Sequence, residues 1–228
     1  PSEVIEQLAE RTDGVPLFVE EFTQMVQDSG ALDANQKGEH IAVALSTIPV
    51  TLHDLLAARL DRMDSDPNVV QLGATFGREF TYELMHAASE LQEEVLQEEL
   101  AKLVEAELLF QKGRPPSSSY IFKHALIQDA AYNSVLKKKR QQFHKTIAET
   151  IENGFEQTVA THPELLAHHY AEADETAKAV AYYLKAGQYA QQRSANTEAI
   201  HHLMHGLEVL ESLSDSPQRD QLELSLQL

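Results

Sequence analysis

In this 228-residue chain the spacing of apolar residues changes to a β-like period at one place, and this interruption constrains the fold more than any other feature. Two short runs, LLFQKG and YIFKH, have β-like character, and the polar stretch RPPSSS separates them. Before and after them, apolar residues recur at helical spacing. Few small folds place a single hairpin after three short helices. The order therefore predicts a winged helix-turn-helix whose wing is RPPSSS.

Four helical patterns precede the hairpin, and capping residues mark where they begin. They are IPVTLHDLLAARLDRM, DPNVVQLGATFG, TYELMHAAS and QEEVLQEELAKLVEAE. Thr51 and Asp54 have capping-box spacing, Pro67 suits a first turn, and Thr81 is the expected cap of the third helix.

The string RTDGVPLFVEEF predicts a corner between two helices near the start of the chain. Residues 3–13 and 16–29 have helical stripes, whereas residues 30–46 are weakly patterned and read as a loop. Gly14 suits the end of the first helix, and Pro16 suits the first turn of the second, where its missing N–H is not needed.

From His124 onward the pattern is helical to the end. The last helices resemble each other: Lys178-Ala179-Val180 is echoed by Glu198-Ala199-Ile200, and the small residues at 186–187 and 206 suit close helix approach. This texture is typical of an α-solenoid of tetratricopeptide type. We therefore predict a mainly α chain with three parts: a helical remnant (1–46), a winged-helix domain (47–136), and a linker helix with tetratricopeptide-like repeats (137–228).

The composition excludes several classes of protein. The chain has no cysteine, which excludes disulfides and thiolate chemistry and is compatible with the cytoplasm. No apolar run approaches the roughly 20 residues that cross a bilayer, so we expect no membrane partner. No GxxxxGK[ST] loop and no nucleophile triad is present, so we expect no catalytic residue in this segment. The chain begins at Pro1, and we expect it to be part of a longer protein.

Charge argues against DNA as a partner. Residues 1–110 hold 22 acidic and 6 basic side chains, and the expected recognition helix, residues 92–107, holds six glutamates and one lysine. Such a helix would be repelled by phosphate. A basic zone at 112–145 is interpreted as balancing the acidic half of the molecule. His201 and His205 share a helix face and His168 and His169 are adjacent, but without an HExxH motif we predict no metal site.

Six ordered strings together resemble one family. They are RTDGVPLFVEEF, IPVTLHDLLAARLDRM, GREFTYELM, YIFKHALIQDAAYNSVL, PELLAHHYAEA and AGQYAQQRSANTEAIHHLMHGLEVL. They resemble the region after the P-loop domain in bacterial STAND-type signalling ATPases, of the kind fused to class III adenylate/guanylate cyclases and followed by tetratricopeptide repeats.

The resemblance implies a nucleotide-dependent switch. In that family a Gly-x-Pro motif of the helical lid lies near the adenine, and Gly14 and Pro16 match it. A winged-helix histidine at the head of a helix reaches the β-phosphate of ADP, and His124 matches it by position. The resemblance implies no cofactor in this segment itself, but ATP or ADP with Mg²⁺ in the full-length parent. The implied partners are an upstream P-loop ATPase domain of the same chain and a protein or small-molecule signal on the repeats.

Two other readings of the residues stay open. One is a winged-helix DNA-binding transcription regulator, and the other is a stand-alone tetratricopeptide-like scaffold for protein interactions. His124 itself is open to a second reading as a capping or core-satisfying histidine.

Overall fold

The computed structural model describes residues 15–28, 51–211 and 217–227, and this part of the chain is mainly helical with one small antiparallel sheet. In chain order its elements are α1 (Pro16–Asp28), α2 (Leu52–Arg62), α3 (Pro67–Phe76), β1 (Glu79–Thr81), α4 (Tyr82–Ala88), α5 (Glu93–Glu105), β2 (Leu109–Arg114), β3 (Ser117–Phe122), α6 (Ala125–Asn133), α7 (Lys137–Gly154), α8 (Glu156–Thr161), α9 (Pro163–Glu172), α10 (Thr176–Gln192), α11 (Asn196–Leu210) and α12 (Pro217–Gln227). Within these ranges no helix combines the length and the apolar character needed to span a bilayer. The helix predicted at 3–13, Gly14 and the loop predicted at 30–46 lie outside the described residues.

The elements from α3 to β3 have the order and strand pairing of a winged helix, as predicted. Three helices precede the β2–β3 hairpin, and the strands lie in the order β1-β3-β2 with antiparallel pairing. The sequence pattern does not predict β1, because its three residues are too few to show alternation. Phe80 of β1 pairs with Tyr120 of β3, and the two rings stack with their centroids 5.6 Å apart.

The wing is tighter than the sequence predicts. β2 continues to Arg114 and β3 begins at Ser117, so only Pro115 and Pro116 remain between the strands. The serines of RPPSSS therefore belong to a strand rather than to a loop. Much of β2 is exposed to solvent, so this hairpin accommodates polar residues. These residues interrupt the alternation of apolar and polar side chains from which a strand is predicted.

The predicted helix caps are confirmed. The hydroxyl of Thr51 accepts the Asp54 N–H at 3.1 Å, and that of Thr81 accepts the Leu84 N–H at 3.3 Å. Asp66 caps α3 in the same way, with Pro67 at its first position. Each cap satisfies a donor that the helix itself leaves unpaired.

The turns that join α9 to α10 and α10 to α11 share one geometry. Asp174 and Ser194 both have positive φ, 64° and 61°, directly after a helix. In each turn the N–H of the next residue bonds a carbonyl of the preceding helix at 2.9 Å. This bond pattern is that of a Schellman turn. Consecutive helices are thus connected alike, which is compatible with the predicted repeats.

One core extends through most of the described chain. A continuous cluster of buried side chains runs from Leu56 in α2 to Tyr182 in α10, so apolar packing crosses the predicted boundary at residue 136. Beyond it, glycines permit close packing where the sequence predicts it. A Cβ on Gly187 would lie 2.7 Å from Leu203, and one on Gly206 would lie 2.8 Å from Leu226.

Candidate functional site

His124 lies where the sequence predicts it, between the last strand and the head of a helix. It is the N-cap residue of α6 in an extended conformation, and its carbonyl accepts the Ile127 N–H at 3.1 Å. The backbone of Lys123 holds the segment in place by donating to the Leu108 carbonyl at 3.0 Å. The half-buried His124 imidazole makes no capping hydrogen bond. His124 therefore occupies the capping position of α6 through its backbone and not through its side chain.

An ion pair brings α1 next to this segment. Lys123 Nζ donates to Glu20 Oε1 at 2.6 Å and to Glu107 Oε2 at 3.0 Å. The hydrogen bond from Lys123 lowers the pKa of Glu20, and the bonds to Glu20 and Glu107 raise the pKa of Lys123, so Glu20 and Lys123 are both charged at neutral pH. Glu20 lies one turn after Pro16 in α1. The structure thus places the helix that begins at Pro16 beside the segment that carries His124.

A second, more buried contact anchors α1. The Arg59 guanidinium on α2 donates to Glu21 Oε1 and to the carbonyl of Ala106. The side chain of Glu21 is only 3% exposed, and its second oxygen, Oε2, has no hydrogen-bond partner in the described ranges. Apolar packing by Phe18, Phe22 and Met25 completes the docking. Arg59 therefore holds α1, α2 and the end of α5 together.

A cleft of about 210 Å³ lies beside this contact. It is open to solvent, and Met25, Arg62 and Met63 contribute to its walls together with Glu21 and Arg59. Sequence reasoning did not identify this cleft, because residues from α1, α2 and α5 line it and no local motif connects them.

Pro16 begins α1, as predicted, and is exposed together with Val15. Among the described residues, the Pro16 ring does not pack into the core. Gly14 lies outside the described residues, so the structure places two of the three predicted contact residues. It brings their two elements together through Lys123 and Glu20.

The helix at the recognition position presents acidic groups to solvent. Leu96, Leu100 and Leu103 of α5 point into the core. Glu99 is also buried, where it accepts the Asp66 N–H at 2.6 Å and the Lys102 ammonium at 2.7 Å. The exposed glutamates of α5 are Glu93, Glu94, Glu98 and Glu105. The single lysine of α5 pairs with a glutamate, so the exposed surface of α5 is negatively charged.

Two groups of neighbouring histidines lie in the described part of the chain. On α11 the exposed His201 and the half-buried His205 lie together, as predicted, with their Nε2 atoms 3.3 Å apart. His168 and His169 of α9 instead lie beside His144 of α7, and ring nitrogens of these three residues come within 4.8 Å of one another. The sequence does contain a signal for His144, which shares an apolar stripe with Ile147, Ala148 and Ile151.

Comparison with known proteins leaves the family open. No protein-family model matches the chain. Over 217 residues the chain is 28% identical to a protein of Rhizobium meliloti (strain 1021) that is described only as uncharacterized. That similarity covers 92% of this chain and 20% of the relative, so the chain spans about a fifth of the relative's length.

Proposed function

We propose that this chain is a non-catalytic regulatory segment of a STAND-type signalling ATPase that works in the cytoplasm. In this role it couples the nucleotide state of a P-loop domain to a sensor built from the helices after α7. One observation carries the proposal. The helix that begins at Pro16 is docked on a winged helix next to His124, through the Lys123–Glu20 ion pair.

The head of α6 has donors that fit an anion. The imidazole of His124 is not used as a cap, and the first turn of α6 presents backbone N–H groups at the positive end of the helix dipole. Ala125 and Leu126 are exposed there. Bound ADP would supply the negative charge that these donors recognise. The corner at Gly14 and Pro16 would contact its base, and Mg²⁺ would belong to the P-loop domain.

The switch would be a shift between two populations. In the closed state α1 stays on the winged helix, and Lys123 is shared between Glu20 and Glu107. In the open state α1 leaves, and Lys123 loses one of its two carboxylate partners. A protein or small-molecule signal that binds the repeats better in the open state would favour opening.

Substitution of His124 tests the proposal in the full-length protein. We expect His124→Ala to accelerate ADP release about 10- to 100-fold, because a hydrogen bond to a charged group is worth about 1.5–3 kcal/mol. Release is measured by stopped-flow fluorescence of a labelled ADP. His53→Ala is the matched control, because His53 is exposed on α2. ADP release as slow in His124→Ala as in the control would contradict the role of His124. A parent protein without a P-loop would refute the ATPase assignment itself and leave a scaffold.

Binding to DNA through α5 is the second candidate, and it gives a separate prediction. We expect no salt-sensitive binding to duplex DNA in a low-salt anisotropy titration, because exposed glutamates cover α5. The triple variant Glu93→Lys, Glu94→Lys and Glu98→Lys is the positive control, since it reverses the charge of the same surface. Tight, salt-sensitive binding by the unmodified chain would restore the transcription-regulator reading.

A stand-alone scaffold is the third candidate, and one observation favours it. Ile200 and Met204 on α11 are 59% and 56% exposed, one turn apart. Exposed apolar residues of this kind suit contact with another protein. The same surface would serve the sensor in the leading proposal.

A further inference from the structure

Three histidines converge where α7 packs against α9. His144 of α7 and His169 of α9 are both 1% exposed, and their Nδ1 atoms lie 2.8 Å apart. His168, the residue before His169, is exposed to solvent. Its ring centroid lies 5.7 Å from that of His144. The group thus has two buried members and one that reaches the surface.

Hydrogen bonding among these side chains leaves one nitrogen without a partner. His144 Nε2 lies 3.0 Å from the Tyr132 hydroxyl, and its Nδ1 faces His169. Only one proton fits between the two Nδ1 atoms, so one of them directs a lone pair at the other ring. His169 Nε2 is buried and has no hydrogen-bond partner among the described residues. The metal-binding position is between the two Nδ1 atoms, where an ion would replace the shared proton, and His169 Nε2 keeps its own proton in either case.

We propose that His144, His168 and His169 form a binding site for a divalent transition-metal ion of the zinc type. Imidazole ligands without thiolate suit Zn²⁺, Ni²⁺ or Cu²⁺ rather than Ca²⁺ or Mg²⁺. Two imidazole nitrogens on tetrahedral Zn²⁺, each about 2.0 Å from the metal, lie about 3.3 Å apart. The two Nδ1 atoms would therefore separate by a few tenths of an ångström. His168 would turn inward as the third ligand, and a water would complete the shell.

The surroundings fit this role. With the metal on Nδ1, His144 Nε2 carries its proton and donates to the Tyr132 oxygen, which fixes the ring orientation as outer-shell partners do. His168 at the surface gives the ion a path inward. Because the ligands come from α7 and α9, the ion would tie these two helices together. The site stands on its own geometry and does not depend on the proposed ATPase role.

A Zn²⁺ titration against a chromophoric chelator tests the site, using the whole chain after treatment with EDTA. We expect one saturable site in the unmodified chain. His168→Ala should weaken Zn²⁺ binding at least about 100-fold, since loss of even an outer-shell partner costs 10- to 100-fold. His168 is exposed, so its replacement leaves the core intact. Co²⁺ should give the absorption bands of a tetrahedral site, and His168→Ala should remove them.

The pair on α11 provides the control. His201 and His205 lie one turn apart near the surface, an arrangement that binds metal ions adventitiously. We expect the double variant His201→Ala and His205→Ala to retain the site. Three results would overturn the proposal: no saturable Zn²⁺ binding, binding that His168→Ala leaves unchanged, or binding that only the α11 double variant abolishes. Each would leave His144 and His169 as a hydrogen-bonded pair and no more.

Discussion

Replacement of Glu152 by alanine is expected to lower the free energy of unfolding by about 3 kcal/mol. Glu152 of α7 accepts hydrogen bonds from Tyr170 of α9, from Tyr182 of α10 at 2.8 Å and from Lys178 at 3.0 Å. Tyr170 is fully buried and Tyr182 nearly so. Without the carboxylate their hydroxyl protons lose their acceptor, and a buried donor without a partner costs about 1–3 kcal/mol. Chemical denaturation at pH 7 measures the loss.

The pH dependence of this loss follows from the titration of Glu152. Burial would raise the pKa of this carboxyl, but the hydrogen bonds from Tyr170, Tyr182 and Lys178 together hold it below the ordinary 4.5. The stabilisation is therefore fully present above pH 4.5 and is lost as the pH falls through the lowered pKa of the folded state. The difference between the unmodified chain and Glu152→Ala should shrink in acid.

Glu149 supplies the matched control. It lies on the same helix, half-exposed, with its carboxylate 4.0 Å from Lys145. An exposed pair of this kind contributes at most about 1 kcal/mol, so Glu149→Ala should change stability little. Equal effects of the two substitutions would show that Glu152 does not connect α7 to α9 and α10.

Replacement of Arg59 by alanine is expected to release α1 from the winged helix. Arg59 is the counter-ion of Glu21, whose side chain is 3% exposed, and it also satisfies the Ala106 carbonyl. Loss of one partner of a buried ion pair costs about 3–5 kcal/mol, and the partial exposure of Arg59 favours the lower end. Hydrogen exchange at the amides of residues 16–28 measures the release, which should appear as lost protection in α1 alone.

Two further variants make the Arg59 result specific. Arg62→Ala removes an exposed arginine at the same cleft and should leave exchange in α1 unchanged. Combining Arg59→Ala with Glu21→Leu removes both charges, and protection should partly return because no charge stays buried without a counter-ion. If protection of α1 is the same in Arg59→Ala as in the unmodified chain, apolar packing by Phe22 and Met25 and the Lys123–Glu20 ion pair hold the helix without Arg59.

Local signals in the sequence predict most of the fold. Helical periodicity and the caps at Thr51 and Thr81 give the helices, and the single change of period gives the hairpin. The sequence does not predict β1, because three residues show no period and its pairing with β3 depends on residues about 40 positions away. The sequence also does not predict where the wing strands end, because the serines that begin β3 are as compatible with a loop as with a strand.

The candidate site was predicted in position but not in its contacts. Pro16 lies in the first turn of α1, which its residue type favours, and His124 lies at the N-cap of α6, which its residue type does not favour. The pair between Lys123 and Glu20 joins residues 103 positions apart, and nothing local distinguishes these two side chains from other exposed charges. His144 is different: a histidine on an apolar stripe already indicates a buried polar group that needs partners.

In the proposed switch, the length of α6 would set the distance between the head of the winged-helix segment and α7. His124 stands at its head and Tyr132, which contacts His144, stands in its last turn. Nine helical residues span about 13 Å and form a stiff rod. A displacement of the head of α6 would therefore reach α7 at the contact between Tyr132 and His144. A movement of α6 along its axis would first change the contact between Tyr132 and His144.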